Sequence, residues 1–201
     1  DAVIIGKNQN PWKECDLAAM ERDQVQLVRR ITGGGAVYHD SGNLNFSFIA
    51  GSGRYDVQRQ LNLILQAVRS FGIPCEFSGR NDLLADGKKF SGNAQYLRQG
   101  RVMHHGTILF DSNASVLANA LQVDEAKIQA KGVKSVRSRV TNVRPCLPVD
   151  MTLPQFRQVL LDTILEEEPG EEYILTEQDL AVVEKLKAQR YDTWEWNYGH
   201  S

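Results

Sequence analysis

The sequence is poor in the features that mark membrane, repeat and strongly basic proteins. No apolar run among its 201 residues approaches the roughly 20 residues that a membrane-spanning helix needs. Its formal net charge is only −2, so no overall positive field predicts binding to nucleic acid or to an anionic membrane. Internal repeats and low-complexity stretches are absent too. These absences predict an ordinary globular protein, in agreement with charged and apolar fractions of 24% and 42%.

Cysteine and histidine are too sparse and too scattered to predict a metal centre. The three cysteines, Cys15, Cys75 and Cys146, include no CxxC pair, and their odd number does not suit a disulfide framework. The four histidines include no pair spaced i, i+4. Nothing at the N-terminus reads as a secretory signal. We therefore expect reduced thiols in a cytoplasmic protein.

The pattern of apolar residues predicts a mixture of hairpin-rich sheet and helices. Capping signals at Asp16, Thr152 and Thr176 mark the starts of three of the helices. Regular βαβ alternation is absent, so we predict an α+β fold in one domain rather than a dinucleotide-binding arrangement. The predicted strands are 3–5, 27–32, 36–38, 45–48 and 102–110, and the predicted helices are 16–22, 57–71, 115–121, 152–165 and 176–186.

A glycine-rich segment spans residues 29–43, with three consecutive glycines at 33–35. Glycine lets backbone N–H groups approach a ligand closely, and a concave run of such amides binds anions. Arg30, just upstream, can grip a phosphate or carboxylate with two parallel hydrogen bonds. No lysine follows the glycines as in a P-loop. The alternative is a flexible turn between two strands, but the nearby Arg30, His39 and Asn43 favour an anion site.

Two adjacent lysines follow a tight hairpin turn that is predicted at residues 86–87. Strand alternation then places Lys89 and Ser91 on one face, and Lys88 and Phe90 on the other. An ammonium held at a site can neutralise charge on a transferring phosphoryl group. Spacing alone does not choose between the lysines, and two solvated lysines beside a surface turn are the alternative. With the turn at residues 86–87, strand residues 82–85 are predicted to pair with residues 88–91.

An apolar strand carries the adjacent histidines His104 and His105. Alternation places His105 and Thr107 on one face, and adjacent histidines point apart, which disfavours a metal site. A hydrogen-bonded core histidine is favoured over direct catalysis.

Residues 131–142 pack four cations into a loop-like stretch. This stretch can close over a nucleotide, bind nucleic acid or form a solvated basic edge. Of these three possibilities, a solvated edge is the ordinary one for such a run of charge. Binding to nucleic acid is the least favoured, because the charge of the whole chain is balanced.

Four segments stand in a fixed order along the chain, and they read RRITGGGAVYHDSGNLNFSF, GRNDLLADGKKFSGNAQY, HHGTILF and KGVKSVRSRVTN. In this order and spacing they resemble the lipoate–protein ligase A family, as do GKNQNPW upstream and WEWNYG downstream. The resemblance covers nearly the whole chain. It implies a mixed, largely antiparallel sheet flanked by helices, a catalytic fold shared with biotin ligases and related to class II synthetase cores. We expect residues 1–201 to form this catalytic domain, with the family's first strands and C-terminal accessory domain lying outside it.

The resemblance also implies two half-reactions that use ATP and Mg²⁺. Lipoate, or the related octanoate, is first activated to an acyl-adenylate, and the acyl group then passes to an acceptor lysine. The implied partners are lipoyl domains of 2-oxoacid dehydrogenase complexes and the glycine cleavage H protein in the bacterial cytoplasm. Neither nucleic acid nor a membrane is an expected partner.

Particular residues take roles from the resemblance. Lys89 falls on the family's catalytic lysine, which touches both the phosphate and the lipoyl carbonyl, and Asp82 is expected near Mg²⁺. Expected adenylate contacts are Arg30, Gly35, Ala36, Val37, Tyr38, Asn81, Asp82, Lys131, Gly132, Val133, Ser135 and Val136. Expected lipoate contacts are Lys89, Gly33, Gly34, Gly35, His39, Asn43 and His105.

Two other functions stay open. A cysteine-dependent octanoyl- or lipoyl-transferase of the same superfamily places a nucleophilic cysteine shortly before the hairpin, where Cys75 lies. The GRND segment follows the ligase pattern instead, and we expect Cys75 to be buried and inert. A non-catalytic module that holds lipoyl-adenylate or a lipoyl domain is the second alternative.

Overall fold

A computed structural model describes residues 1–78, 81–113, 116 and 140–199. The chain divides into two compact units. The first unit comprises Asp1–His39, Ser115–Glu125 and Gly170–Ser201, and the second comprises Asp40–Ala114 and Ala126–Pro169. Apart from Val116, the predicted helix at 115–121 falls outside the described residues, as do residues 131–139 of the basic stretch.

A three-stranded sheet forms the centre of the first unit. Its strands are β1 (Ala2–Ile5), β2 (Gln26–Arg29) and β3 (Val37–His39), in the order β2-β1-β3. β1 pairs with β2 in parallel and with β3 antiparallel. Strand β2 ends at Arg29, three residues before the predicted end, and residues 30–36 form the loop that leads to β3.

Helices complete the first unit. Helices α1 (Pro11–Glu14) and α2 (Leu17–Arg22) connect β1 to β2, and Asp16 caps α2 as predicted by accepting a hydrogen bond from Ala19 N at 2.9 Å. The apolar core combines Val3, Ile5, Cys15, Met20, Val25, Leu27 and Tyr38. Near the C-terminus lie the helix Glu177–Leu186 and two π-helical turns at Lys187–Tyr191 and Glu195–Gly199.

A five-stranded antiparallel sheet forms the second unit, in the order β4-β8-β7-β6-β5. Its strands are β4 (Asn43–Gly51), β5 (Cys75–Ser78), β6 (Asp82–Ala85), β7 (Lys88–Arg98) and β8 (Arg101–Leu109). Helices α3 (Val57–Arg69) and α4 (Leu153–Glu167) pack together in this unit, and α4 begins in the predicted capping box of Thr152 and Gln155. The buried core includes Ile64, Leu65, Val68, Phe90, Ile108, Phe110 and Phe156.

The turn between β6 and β7 is the predicted tight hairpin. Asp86 and Gly87 have φ values of +49° and +69°, as a two-residue turn with both central residues in the left-handed region requires. The predicted uninterrupted pairing beyond this turn is wrong. A bulge shifts the register after Leu84↔Lys89, so that Leu83 pairs with Ser91.

The bulge changes which side chains are buried. Phe90 and Ser91 are both buried, with relative exposures of 0% and 1%, whereas strict alternation would have placed them on opposite faces. It also places Asp82 opposite Gly92. The mixed three-stranded sheet, the antiparallel five-stranded sheet and the helices confirm the predicted α+β class. Within the described part of the chain, no helix combines the length and apolar character needed to cross a membrane.

Candidate active site

The hairpin of the second unit holds the predicted catalytic lysine in a defined position. Lys89 Nζ lies 2.8 Å from Asp82 Oδ1, and the two side chains are 36% and 38% exposed. A Cβ placed on Gly92 would lie 2.9 Å from both Cε and Nζ of Lys89. The lysine therefore extends across Gly92 to reach the carboxylate, which requires a glycine at that position. Lys88 is exposed and shares none of these contacts.

The backbone around Lys89 is held by Val140 and Thr141, at the end of the basic stretch. Thr141 N donates to Lys89 O at 2.9 Å, and Lys89 forms a parallel bridge with Val140. The predicted adenylate contacts Lys131, Gly132, Val133, Ser135 and Val136 lie outside the described residues and stay predictions.

A polar network that begins at the buried His104 supports the strand end that carries Asp82. Asn81 O accepts hydrogen bonds from the backbone N and from Nδ2 of Asn93, both at 3.0 Å. Asn93 Oδ1 lies 3.2 Å from His104 Nε2, and His104 Nδ1 lies 2.8 Å from Gln60 Oε1. His104 is fully buried, and burial, with a smaller contribution from His105, lowers its pKa to about 4. The imidazole is therefore neutral at physiological pH.

The sequence predicted a hydrogen-bonded core histidine in this strand without choosing between His104 and His105. The structure shows that it is His104. His105, the predicted lipoate contact, is half-buried on the other face of β8, with Ser47 and Ala94 as its register partners. The spacing of the two histidines did not indicate which face of β8 packs against the core.

Arg30 shapes the glycine loop of the first unit. Its Nη2 donates to the carbonyl oxygens of Gly33 and Gly35, each at 2.8 Å, and its Nη1 donates to Ile4 O at 3.0 Å. Its Nε donates to Thr32 Oγ1 at 3.0 Å. Burial lowers the pKa of the guanidinium, which nevertheless stays charged. In this arrangement Arg30 binds the carbonyl oxygens of the loop that the sequence predicted to bind an anion.

Gly6 allows the loop to pack against the end of β1. A Cβ on Gly6 would overlap Gly34 O and would lie within 3.2 Å of the Gly33 carbonyl carbon. Lys7 N donates to Thr32 O at 2.8 Å, and Gly34 has a φ of +97°, a conformation that favours glycine. The glycine loop is therefore closely packed on the side that faces residues 6–7, and it is more than a flexible turn.

Arg29 is a buried residue that the sequence analysis missed. It is 1% exposed, and its guanidinium donates to five backbone carbonyl oxygens at 2.7–3.3 Å. Its own backbone N–H donates to Asn197 Oδ1, and its carbonyl accepts from Trp196 Nε1, both at 2.8 Å. Arg29 thus ties the end of β2 to the turn after β1 and to the C-terminal turn. Its acceptors are Gly6, Lys7, Gln9, Trp196 and Asn197.

The other predicted site residues lie on or beside β3 in the first unit and at the start of β4 in the second unit. In the first unit Ala36 packs against the core, Val37 is half-buried, and buried Tyr38 donates from its hydroxyl to Asp1 Oδ2 at 2.8 Å. His39 is half-buried. In the second unit Asn43 Nδ2 lies 3.4 Å from Asp40 Oδ1, a carboxylate that also binds Ser112 and Asn113.

Cys75 is placed as a structural residue. It is buried in the core of the second unit, with its Sγ 3.6 Å from Leu65 O. Burial raises the pKa of the thiol, and the nearby Arg69 only partly opposes that shift. A protonated thiol that faces the core is a poor nucleophile.

The carboxylate that this site offers to a metal ion is Asp82. Across the described residues, no three histidine, cysteine or carboxylate side chains converge. Mg²⁺ that is bound to a nucleotide needs only one or two protein carboxylates besides the phosphates. Asp82, half-exposed beside Lys89, meets that requirement.

The first unit also contains a cleft of about 770 Å³. It runs between α2, β2 and the C-terminal turns, and its lining residues include Leu17, Met20, Leu27, Tyr191 and Tyr198. None of the predicted site residues lines it, so its size does not make it the candidate site.

Residues 1–165 match the family model described as lipoyl protein ligase A/B catalytic domain. The chain is 44% identical to lipoate–protein ligase LplJ of Bacillus subtilis and 43% identical to lipoate–protein ligase 1 of Staphylococcus aureus. Both matches cover 100% of this chain and 62% of the relative. The chain therefore spans about 62% of the length of these curated relatives.

Solved structures of similar proteins agree with this match. A bipartite lipoate protein ligase of Thermoplasma acidophilum, described with its E2 lipoyl domain, superposes with a TM-score of 0.84 at 33% identity, covering 100% of this chain and 81% of that one. A lipoate–protein ligase A bound with ATP gives 0.82 at 30% identity, covering 100% and 83%. A putative T. acidophilum lipoate protein ligase with bound lipoic acid gives 0.81 at 31% identity, covering 98% and 82%. The chain therefore belongs to the lipoyl protein ligase A/B catalytic domain family.

Proposed function

We propose that this protein activates lipoate with ATP to form lipoyl-AMP and then transfers the lipoyl group to a lysine of an acceptor protein. One observation carries the proposal. The Lys89 ammonium is extended over Gly92 and paired with Asp82, on the hairpin where the family's motif places its lysine. The similar solved structures with ATP and with lipoic acid support the choice of substrates.

In the first half-reaction a carboxylate oxygen of lipoate attacks the α-phosphorus of ATP. The new bond joins this oxygen to phosphorus, the bond from the α-phosphorus to the bridging oxygen breaks, and pyrophosphate leaves. Such a displacement needs positioned positive charge more than a covalent nucleophile. Lys89 supplies that charge, and the Asp82 carboxylate holds the ammonium in one place without removing it from solvent.

The nucleotide is held by the residues that the family resemblance implies. The closely packed glycine loop supports this assignment, because Arg30 and Gly6 leave its backbone little freedom. Mg²⁺ bound to the phosphates of ATP would neutralise their charge, with Asp82 as its protein carboxylate. The proposed contacts are Arg30, Gly35, Ala36, Val37, Tyr38, Asn81, Asp82, Lys131, Gly132, Val133, Ser135 and Val136.

In the second half-reaction the ε-amine of the acceptor lysine attacks the activated carbonyl carbon. An amide bond forms, the bond from carbon to the phosphate oxygen breaks, and AMP leaves with that oxygen. Lys89 lies near the same carbonyl in the proposed complex and stabilises charge on its oxygen. His39, Asn43, His105 and the glycines at 33–35 are proposed to contact the lipoyl chain.

The acceptor is proposed to be a lipoyl domain of a 2-oxoacid dehydrogenase complex or the glycine cleavage H protein. The T. acidophilum ligase described with its E2 lipoyl domain supports this class of partner. Three free cysteines support the cytoplasm as the proposed compartment. The position of Cys75 argues against the cysteine-dependent transferase, because its thiol faces the core.

The experiment incubates the purified protein with lipoate, Mg-ATP and a lipoyl domain, and weighs the acceptor by mass spectrometry. We expect an acceptor that is heavier by one lipoyl group, only when ATP is present, and an unchanged result for Cys75→Ser. Acylation of the acceptor by an acyl donor without ATP, lost in Cys75→Ser, would identify a transferase. Tight binding of lipoyl-adenylate without any modified acceptor would identify a non-catalytic module.

A further inference from the structure

We propose that His104 is a positioning residue for the Lys89 site, acting through Asn93 on the backbone of Asn81. His104 lies on β8 and Asn93 on the neighbouring β7. Asn93 in turn binds the carbonyl oxygen of Asn81, the residue before Asp82. This inference rests on the proposed function for its effect on catalysis, but the hydrogen-bond network can be tested without any activity.

The orientation of the Asn93 amide follows from its partners. Asn93 Nδ2 is 3.0 Å from Asn81 O and 3.4 Å from Ser91 Oγ. A backbone carbonyl can only accept, so the amide nitrogen must point toward Asn81. Asn93 Oδ1 then necessarily faces His104 Nε2, at 3.2 Å.

This orientation determines the tautomer of His104. Asn93 Oδ1 can only accept, so His104 must carry its proton on Nε2. The buried ring is packed beside Phe46 and Phe48, with ring centroids 6.0 Å away, and it is neutral at physiological pH. Nδ1 is then an acceptor. The side-chain amide of Gln60 must therefore turn its nitrogen, rather than its oxygen, toward Nδ1, an exchange that leaves the heavy-atom positions nearly unchanged.

The strand register provides room for this network. Gly106 pairs with Asn93 across β7 and β8, and a Cβ at Gly106 would overlap both Asn93 Oδ1 and Phe46 Cζ. A side chain at position 106 would push Asn93 away from His104. The glycine thus leaves space for the asparagine, and the histidine sets the direction in which its amide points.

The network ends at the residues that hold the lysine. Two donors of Asn93 converge on Asn81 O, and Asp82, the next residue, pairs with Lys89 at 2.8 Å. If the Asn93 amide is free to rotate, Asn81 O loses one of these two donors. The segment of residues 81–82 can then shift, and the Asp82 carboxylate that orients Lys89 shifts with it. A displacement of about 1 Å at reacting groups can reduce a rate by roughly 10²-fold.

The test combines ¹⁵N NMR of the imidazole with kinetics of pyrophosphate release for His104→Leu, His104→Gln and Asn93→Asp. The leucine variant has no donor, whereas glutamine can place an amide N–H near the position of Nε2. We expect the Nε2–H tautomer in the wild type and a roughly 10- to 100-fold lower kcat in His104→Leu. The KM for lipoate should be unchanged, and His104→Gln should recover most of the kcat.

Asn93→Asp keeps the acceptor for His104 but replaces the amide donor that faces Asn81 with an oxygen. It should lower kcat as His104→Leu does, and it provides the test if the leucine variant does not fold. An Nδ1–H tautomer in the wild type, or a folded His104→Leu or Asn93→Asp protein with wild-type kcat, would overturn the inference. A wild-type protein that releases no pyrophosphate would instead overturn the proposed function. In that case the tautomer of His104 still tests the hydrogen-bond network by itself.

Discussion

Lys89 and Asp82 are joined by an ion pair of 2.8 Å that depends on a bulge in the strand between them. The register shift brings Asp82 opposite Gly92, and the lysine reaches the carboxylate by lying over that glycine. Both side chains stay partly exposed, so the pair adds little to stability but defines where the ammonium is held. A positively charged group that is held in place, yet open to a ligand, suits a displacement at phosphorus.

Replacing Lys89 with alanine should abolish most lipoyl-AMP formation while leaving the fold intact. Loss of one positioned electrostatic contact in a transition state commonly lowers a rate by roughly 10²- to 10³-fold. The measurement is lipoate-dependent pyrophosphate release, with circular dichroism as the check on folding. Lys88→Ala is the matched control, because that exposed neighbour makes none of the contacts of Lys89. Near-normal release by folded Lys89→Ala protein would remove the lysine from the mechanism.

Gly92→Ala should damage activity much more than stability. The added methyl group would come within 2.9 Å of Lys89 Cε and Nζ, the far end of a flexible side chain that can move away. We expect at least a tenfold loss of pyrophosphate release, by the sensitivity of catalysis to small displacements, and less than about 1 kcal/mol change in unfolding free energy.

Gly51→Ala is the matched control for Gly92→Ala, since a Cβ at Gly51 meets nothing within 4 Å. It should change neither quantity appreciably. Equal activity of the two alanine variants would mean that the position of the lysine over Gly92 has no catalytic importance.

Arg29→Met should destabilise the protein strongly. The substitution keeps much of the side-chain volume but leaves five buried or half-buried carbonyl oxygens without their donor. We expect a loss of roughly 3 kcal/mol or more in the free energy of unfolding. Urea denaturation followed by tryptophan fluorescence measures it, because Trp196 contacts Arg29 directly. Arg22→Met, at an exposed position, should stay within about 0.5 kcal/mol of the wild type.

Acidic pH should weaken the fold through His104. Its pKa is lowered from 6.5 to about 4 in the folded protein, so the folded state binds this proton less readily than the unfolded chain. The resulting stability is fully present above about pH 6.5 and is lost as the pH falls from there toward 4. The shift corresponds to roughly 3 kcal/mol.

The pH effect is measured as the difference in unfolding free energy between the wild type and His104→Gln from pH 7.5 to pH 4. Subtracting the variant removes the contributions of the carboxylates that titrate in the same range. A difference that does not change with pH would contradict a neutral, buried His104.

Local signals in the sequence predicted several helices and the hairpin turn. Asp16, Thr152 and Thr176 each cap a helix where the sequence placed it, because caps and apolar periodicity depend on residues a few positions apart. The hairpin turn at 86–87 was predicted for the same reason, since its two residues adopt the left-handed conformation that Asp-Gly favours.

Features that depend on distant residues were missed. The carbonyl groups that bind Arg29 include those of Trp196 and Asn197, which lie 167 and 168 positions further along the chain. No residue near Arg29 in the sequence indicates these partners. The bulge at Phe90 buries two consecutive residues, which contradicts strict alternation. The choice between His104 and His105 depends on which face of β8 meets the core. Family resemblance selected Lys89 where spacing could not.

The most direct test of the account follows oxygen from lipoate into AMP. Lipoate labelled with ¹⁸O in both carboxylate positions is incubated with the protein, Mg-ATP and a lipoyl domain, and the released AMP is weighed by mass spectrometry. Attack of the carboxylate on the α-phosphorus predicts one ¹⁸O atom in each AMP that accompanies a lipoylated acceptor. Lipoylated acceptor formed with unlabelled AMP, or with the label in inorganic phosphate, would contradict it.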